Sequence, residues 1–232
     1  MNMSSLGIIT INHGRPQVLR LWLSQIKRLR SELEEYIPAV VVSDEEDKNL
    51  CASYGVWHIT EPNVKDKVSF KWNTAMAYMR DIGVDNVMIT GSDDVMATEF
   101  FKRTYEHVEK GIDLIGVSHA YFYCAQGLLR GRLVQLEGKA ILGIGKTVSK
   151  RILDLADWKL WRVGKNWGMD AMATQEIMKH NPTKVIIDAM IVDVKTRDNL
   201  NSFNVFKNRK QVDSKEFYDI LSEEELQILK SL

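Results

Sequence analysis

The chain has 232 residues, of which 45% are hydrophobic and 27% charged, and its 31 basic residues equal its 31 acidic ones. This is globular composition, which excludes disordered and collagen-like chains, and the missing basic surplus argues against a protein held on nucleic acid by phosphate contacts. Its two cysteines, Cys51 and Cys124, have no C-x-x-C spacing, which excludes a disulfide framework and disfavours a structural zinc site.

The first residues carry neither the basic stretch nor the long apolar core of a signal peptide. No window of the sequence reaches the roughly 18 consecutive apolar residues of a transmembrane helix. We therefore expect a cytoplasmic protein without a transmembrane segment.

The first hundred residues alternate short apolar runs with helical patterns. Four runs predict strands, at residues 6–12, 39–42, 55–59 and 86–90. A helix is predicted after Pro16 from apolar residues at every third or fourth position: Leu19, Trp22, Ile26, Leu29 and Leu33. A second helix is predicted at 69–80. This alternation predicts an α/β fold with a mostly parallel sheet flanked by helices.

The second half has a more mixed pattern. Further helices are predicted at residues 100–108, 147–158, 170–179 and 222–232, the last from a Ser-Glu-Glu-Glu start that is typical of a capping box. Further strands are predicted at residues 113–118, 121–123, 128–136 and 185–194, and a loop at 198–204. Because no repeat or linker interrupts the chain, we expect one domain over residues 1–232.

Polar residues follow three of the first four predicted strands. They lie at 10–15, 43–47 and 92–94. The carboxyl ends of parallel strands meet at one edge of the sheet, where ligands bind in such folds. The sequence therefore predicts a binding site at this edge.

Two groups of carboxylates at strand ends are candidates for that site. Asp93 and Asp94 could hold a hard divalent cation, which prefers oxygen ligands, or could form a turn that caps the next helix. Asp44 could accept hydrogen bonds from a ribose or a base, or could belong to a solvated acidic loop that continues through residues 45–47.

Two further motifs lie in the second half. The sequence Gly143-Ile-Gly-Lys-Thr147 resembles the end of a P-loop. The first glycine of that motif is missing, because position 140 is Ala140. A glycine loop that lines a cleft and precedes a helix explains the segment better. Asp170, after Trp167, could be a general base or the N-cap of a helix. A base or a sugar could stack on Trp161 or Trp167.

In their order along the chain, these motifs resemble those of the GT-A glycosyltransferases, most closely the family 2-like enzymes. The matching segments are Thr10–Pro16, Asp44 after the second strand, Lys71-Trp-Asn73, Gly91-Ser-Asp93-Asp94, Leu142–Lys150 and Met169-Asp170. There are two departures from the family pattern: Gly91 replaces the first Asp of the metal motif, and Met169 replaces the Glu of a Glu-Asp pair.

The resemblance implies a GT-A-like fold and sugar transfer from a nucleoside-diphosphate sugar, with a UDP-sugar favoured, to an acceptor hydroxyl with inversion. It implies Asp170 as the catalytic base, and Asp93 and Asp94 as ligands of a divalent cation, Mn²⁺ or Mg²⁺. The donor-binding residues it implies are Thr10, Asn12, Arg15, Asp44, Lys71, Asn73, Ser92 and Asp93.

The same resemblance divides the expected domain into a donor half at about 1–100, an acceptor half at about 101–200, and a C-terminal extension with a helix at 201–232. The acceptor is not specified by any residue. Two alternatives remain open, a catalytically silent binding domain with this fold and a sugar-phosphate nucleotidyltransferase.

Overall fold

The computed structural model describes residues 5–61, 68–199 and 202–232, in which two β-sheets are surrounded by helices. The strands are β1 Leu6–Ile11, β2 Ala39–Ser43, β3 Trp57–Thr60, β4 Asn86–Ile89, β5 Asp94–Met96, β6 Leu114–Gly116, β7 His119–Cys124, β8 Leu133–Glu137, β9 Lys146–Ser149, β10 Lys184–Ile186, β11 Ile191–Lys195 and β12 Lys210–Val212. The α-helices are α1 Pro16–Leu33, α2 Lys48–Ser53, α3 Val68–Asp81, α4 Thr98–Glu109, α5 Lys150–Leu155, α6 Met169–Met178, α7 Lys215–Asp219 and α8 Glu223–Ser231.

The larger sheet has the strand order β10-β6-β9-β4-β1-β2-β3 within the described residues. All its neighbouring strands are parallel except β9, which is antiparallel to both β4 and β6. Helices cover the sheet, so the predicted fold class, mixed α/β with a mostly parallel sheet flanked by helices, is confirmed. The carboxyl ends of β1, β2 and β4 share one edge, and β9 begins at that same edge.

The continuous apolarity of β1 reflects burial on both faces of this sheet. Ile8 packs in a core with Trp22 of α1 and Phe100 of α4. Ile9, which points the other way, packs in a separate core with Met76 of α3. Successive side chains of a strand alternate between faces, so a strand with helices on both sides needs apolar residues at every position.

The smaller sheet has the order β12-β8-β7-β11-β5 and is mostly antiparallel. Strand β5 begins at Asp94, five positions after Ile89 at the end of β4, so the chain passes directly from one sheet to the other. Asp94 is paired with Asp193 of β11 in this second sheet. The passage between sheets therefore places the acidic motif where the two sheets meet.

Two predicted elements are wrong in the second half. The predicted strand 185–194 is two strands in different sheets, β10 and β11, because the segment between them crosses from one sheet to the other. The predicted helix 147–158 begins as strand β9, in which Val148 pairs with Val87 and Leu114, and the helix starts only at Lys150. Helical spacing of apolar residues cannot reveal that a short β-branched stretch pairs with two strands far away in sequence.

The C-terminal helix is as predicted, and its capping box is formed between Ser222 and Glu225. The strand β12 and the helix α7 that precede it were not predicted. Residues 1–4, on which the expected absence of a signal peptide partly rested, and residues 200–201 of the predicted loop lie outside the described residues. Among the helices of the described ranges, none combines the length and the apolarity that crossing a membrane would require.

Candidate active site

A cavity of about 690 Å³ opens at the edge of the larger sheet where the sequence predicts a binding site. The ends of β1 and β4, the start of β9, the first turn of α6 and the strand β11 all contribute to its wall. The polar side chains that line it include Asn12, Arg15, Lys71, Ser92, Asp93, Asp94, Lys146, Asp170, Asp193, Lys195 and Asn199.

Three carboxylates form an acidic cluster on one wall of this cavity: Asp93, Asp94 and Asp193. One oxygen of each lies within 4.8 Å of the others. Burial raises the pKa of Asp94 well above its usual range, and the charges of Asp193 and Asp93 raise it further. Burial and the charge of Asp93 also raise the pKa of Asp193, to about 7. Asp93 therefore disfavours the ionisation of both Asp94 and Asp193.

Arg15 and Lys195 place positive charge directly on this cluster. Arg15 Nη1 donates to Asp93 Oδ2 at 3.1 Å, and its Nη2 donates to Ser92 Oγ at 3.0 Å. Lys195 Nζ donates to Asp193 Oδ2 at 2.6 Å. Burial would raise the pKa of Asp93, but the charges of Arg15 and Lys195 hold it below its usual value. Burial alone would lower the pKa of Lys195, but the charges of Asp193 and Asp93 keep it raised.

Gly91 makes room for this arrangement. A Cβ at this position would lie 2.6 Å from Asp93 Oδ1 and 3.3 Å from Asp94 Oδ1, whereas real Cβ contacts shorter than 3.0 Å essentially do not occur. The Gly91 N–H donates to Asp94 Oδ2 at 2.5 Å. The carboxylate of Asp93 therefore fills the space next to Gly91.

The acidic cluster fits a divalent cation by distance, but two of its three carboxylates are already paired with basic side chains. Three carboxylate oxygens converge, which suits the oxygen preference of Mg²⁺, and Oδ1 of Asp193 is buried without a hydrogen-bond partner among the described residues. However, Asp93 Oδ2 already accepts from Arg15 and from Asn199 Nδ2, and Asp193 Oδ2 accepts from Lys195. The basic side chains of Arg15 and Lys195 therefore balance the charges of Asp93 and Asp193.

Asp170 lies on another wall of the cavity and is paired with a buried lysine. The ammonium of Lys146, at the start of β9, donates to Asp170 Oδ1 and, at 2.5 Å, to Thr174 Oγ1 one turn along α6. A Cβ at Gly143 would lie 2.6 Å from Asp170 Cγ, so the glycine loop packs directly on this carboxylate. The N-cap of α6 is Gly168, which rules out the N-cap alternative for Asp170. The glycine loop is followed by strand β9, and the helix begins only at Lys150, so the prediction of a helix directly after the loop is wrong.

The eight predicted donor-binding residues divide into two groups. Those that line the cavity are Asn12, Arg15, Lys71, Ser92 and Asp93. Lys71 Nζ donates to the carbonyl oxygen of Asn12 at 3.2 Å, and the Asn12 amide donates to Asp47 at 2.8 Å. These contacts hold the end of β1 against the start of α2 and the first turn of α3.

The other three predicted donor-binding residues lie outside the lining of the cavity. Thr10 is fully buried within β1. Asp44 follows β2, with Oδ2 3.0 Å from His13 Nδ1 and Oδ1 3.8 Å from Lys71 Nζ. The side-chain amide of Asn73 donates a hydrogen bond to the carbonyl oxygen of Trp161 at 2.8 Å, so it bonds the backbone of the protein itself. Of the two predicted stacking residues, Trp161 is buried against Trp72, whereas Trp167 is 77% exposed.

The cavity residues that were not predicted as site residues include Lys146, Asp193, Lys195 and Asn199. The sequence contained one usable signal, since Asp193 and Lys195 are two positions apart in a strand and therefore share a face. In the sequence, Lys146 belongs to the incomplete P-loop motif and to the segment Leu142–Lys150 that resembles the GT-A pattern.

No protein-family model matches the sequence, and no curated protein matches it. Solved structures do match. S. aureus TarS matches with a TM-score of 0.56 and 13% identity over 97% of this chain. A protein described as a nucleotide-diphospho-sugar transferase, from Desulfovibrio desulfuricans, matches with a TM-score of 0.51 and 11% identity over 99% of this chain and 98% of its own.

A third match is described as a glucose-1-phosphate thymidylyltransferase, from Bacillus anthracis, with a TM-score of 0.50 and 8% identity over 82% of this chain and 89% of its own. The chain spans 42% of TarS and 50% of another longer matched protein, from Campylobacter jejuni. At these identities the likeness shows the fold alone. The chain has the fold of nucleotide-sugar transferases, which confirms the predicted GT-A-like architecture.

Proposed function

We propose that the protein is a glycosyltransferase that moves a sugar from a nucleoside-diphosphate sugar, with a UDP-sugar favoured, to an acceptor hydroxyl with inversion. The observation that carries this proposal is the composition of the cavity. Basic groups suited to a diphosphate line it beside Asp93, and a further carboxylate, Asp170, lies on another wall. A donor site and a general base in one cavity are what a direct displacement at a sugar carbon requires.

On the donor side, Arg15 and Lys71 are the groups we assign to the phosphates, because guanidinium and ammonium groups both pair with phosphate oxygens. Ser92 and Asn12 line the same part of the cavity. Asp44 remains our prediction for the ribose or base, since it follows β2 beside Lys71. Donor roles for Thr10 and Asn73 remain predictions of the family resemblance.

In the proposed reaction, the acceptor oxygen attacks the anomeric carbon of the donor sugar while the bond from that carbon to the diphosphate oxygen breaks. The bonding electron pair leaves with the diphosphate. Asp170 takes the proton of the acceptor hydroxyl. Lys146 holds Asp170 in place, because its buried ammonium bonds both Asp170 and Thr174. These steps involve the two substrates and side chains of this chain.

The division of the chain is part of the same proposal. Residues of about 1–100 would form the donor half and those of about 101–200 the acceptor half, with residues 201–232 as an extension. Asp193 and Lys195 belong to the second half and yet adjoin Asp93, so we propose that both halves contribute to the donor site.

One alternative has specific support. A sugar-phosphate nucleotidyltransferase shares this fold type, as the Bacillus anthracis match indicates. The loop after β1 argues against it here, because the segment 12–15 contains a single glycine instead of a glycine-rich phosphate loop. Release of pyrophosphate from a nucleoside triphosphate and a sugar 1-phosphate would establish that alternative.

The proposal is tested by thermal unfolding of the purified chain with a panel of nucleotide sugars that differ in base and in sugar, followed by transfer assays with the donor that stabilises it. We expect a UDP-sugar to raise the melting temperature. Stabilisation without transfer or donor hydrolysis would support a silent binding domain instead. Failure of every nucleotide and nucleotide sugar to bind would contradict the proposed function.

A further inference from the structure

We propose that Lys195, together with Arg15, neutralises the diphosphate of the donor in the place where a metal-dependent relative would hold a divalent cation, so that nucleotide binding by this protein needs no metal ion. This inference rests on the proposed function, since it takes a nucleoside-diphosphate sugar as the donor. It concerns the chemistry of the donor site itself.

The first observation is the position of the Lys195 ammonium. The side chain is 7% exposed, lines the cavity and bonds Asp193 at 2.6 Å. Its ammonium also lies 5.5 Å from the ring centre of Phe122 and 5.8 Å from that of Phe206. Such contacts favour a cation over the ring face. An ammonium has three N–H donors, and within the described residues one hydrogen bond is recorded for it, so it can also donate to a phosphate oxygen.

The second observation is the packing around Gly91. A metal-binding motif with a carboxylate at this position would need a Cβ there, and that atom would lie 2.6 Å from Asp93 Oδ1. The carboxylate of Asp93 is instead held by Arg15 and Asn199. Glycine at position 91 therefore leaves the space that the Asp93 carboxylate occupies while it pairs with Arg15.

The third observation is the balance of charge. Two basic side chains, Arg15 and Lys195, bond two of the three carboxylates of the acidic cluster. A divalent cation bound to the same oxygens would lie close to both of these positive groups, which disfavours it. A diphosphate would be attracted by the same two groups, which pair with phosphate oxygens, and repelled by the three carboxylates, so its binding depends on direct hydrogen bonds from Arg15 and Lys195.

The role in the reaction follows from this placement. When the bond between the anomeric carbon and the diphosphate oxygen breaks, the electron pair remains on that oxygen and its negative charge increases. Lys195 and Arg15 would donate hydrogen bonds to the diphosphate and stabilise that charge. The proton of the acceptor still goes to Asp170, and no further reactant is needed.

The test is isothermal titration calorimetry of the full chain with UDP, in excess EDTA and in excess MgCl₂ or MnCl₂. We expect UDP to bind in EDTA, with a dissociation constant that added metal changes by less than about threefold. The variant Lys195→Met should weaken UDP by about tenfold or more, the range of a lost charge-assisted hydrogen bond. Lys195→Arg should retain part of the affinity, and Lys27→Met, which removes an exposed charge from α1, should have no effect.

A folding defect is separated from a binding defect by circular dichroism and by a second variant. The double substitution Asp193→Asn, Lys195→Gln removes the ion pair as a unit, and it should fold and still bind UDP weakly in EDTA. UDP binding that requires Mg²⁺ or Mn²⁺, or that is unchanged in both variants, would overturn the inference and leave the proposed function standing. Absence of binding with and without metal, for UDP and for every nucleotide sugar of the panel, would remove both.

Discussion

Lys146 and Asp170 form an ion pair in the cavity although they are 24 positions apart and belong to a strand and a helix. The Lys146 side chain is 2% exposed, whereas that of Asp170 is 51% exposed. A buried ammonium therefore fixes a carboxylate that an acceptor can still reach. This pair connects the sheet edge to the proposed chemistry and underlies the first two predictions.

Asp170→Asn should abolish most of the transfer activity and leave UDP binding unchanged. Removal of a general base costs about 10²–10⁴-fold in rate, and asparagine keeps the shape of the side chain. Rates of sugar transfer, with UDP affinity as the control, would show this. A fully active variant would exclude Asp170 as the base.

Lys146→Met should lower kcat by about tenfold or more while KM for the donor changes little, because Asp170 loses the partner that positions it. The pH profile of the transfer rate should also move, which a purely structural lysine would not cause. Lys150→Met is the matched control, since that lysine is exposed on α5 and pairs with Asp154. Equal loss in both variants would argue against the positioning role.

Gly91→Ala should destabilise the protein and weaken UDP binding together. The added Cβ would meet Asp93 Oδ1 at 2.6 Å, and the displaced carboxylate would lose its alignment with Arg15. Overpacking of this kind typically costs about 1–3 kcal/mol. Thermal unfolding and calorimetry with UDP measure the two effects, and an unchanged melting temperature would contradict the crowding at this position.

Glu225→Gln should lower the free energy of unfolding by about 3 kcal/mol or more, because one partner of a buried ion pair is lost. Glu225 is fully buried and accepts from Arg28 Nε at 2.9 Å, which joins α8 to α1. The adjacent Glu224→Gln is the control, since Glu224 is 41% exposed and pairs with Lys27, and such a pair is worth about 0–1 kcal/mol. Urea unfolding of both variants gives the comparison, and similar values would contradict the prediction.

Asp113 should make the fold sensitive to acid. Burial would raise its pKa, but hydrogen bonds from Arg151, Thr183 and Ser149 outweigh burial and hold the pKa well below its usual value. A folded-state pKa below the unfolded one of about 3.9 means that this stabilisation is present above that pH and is lost as the pH falls towards the folded-state pKa.

The test of this acid sensitivity is the variant Asp113→Asn. It should lose less unfolding free energy than the wild type between about pH 5 and pH 3, although it is less stable at neutral pH. Urea unfolding at several pH values measures both slopes. Parallel slopes would show that Asp113 does not carry the effect.

The sequence alone was sufficient for the parts of this protein that depend on local pattern. The alternation of strands and helices, the start of α1 at Pro16 and the capping box at Ser222 all follow from periodicity and from preferences of single positions. The location of a cavity beside Asn12, Arg15 and Asp93 also followed, because parallel strands end at one edge.

Only the tertiary structure decided which side chains meet there. The pairing of β5 with β11 places Asp193 opposite Asp94, and the antiparallel insertion of β9 places Lys146 at the end of β4. Strand pairing between distant segments depends on packing of the whole chain, whereas hydrophobic periodicity records only which face of each element is buried. For this reason the sequence located Asp93, Asp94 and Asp170 but missed Asp193 and the two buried lysines, Lys195 and Lys146, that bond Asp193 and Asp170.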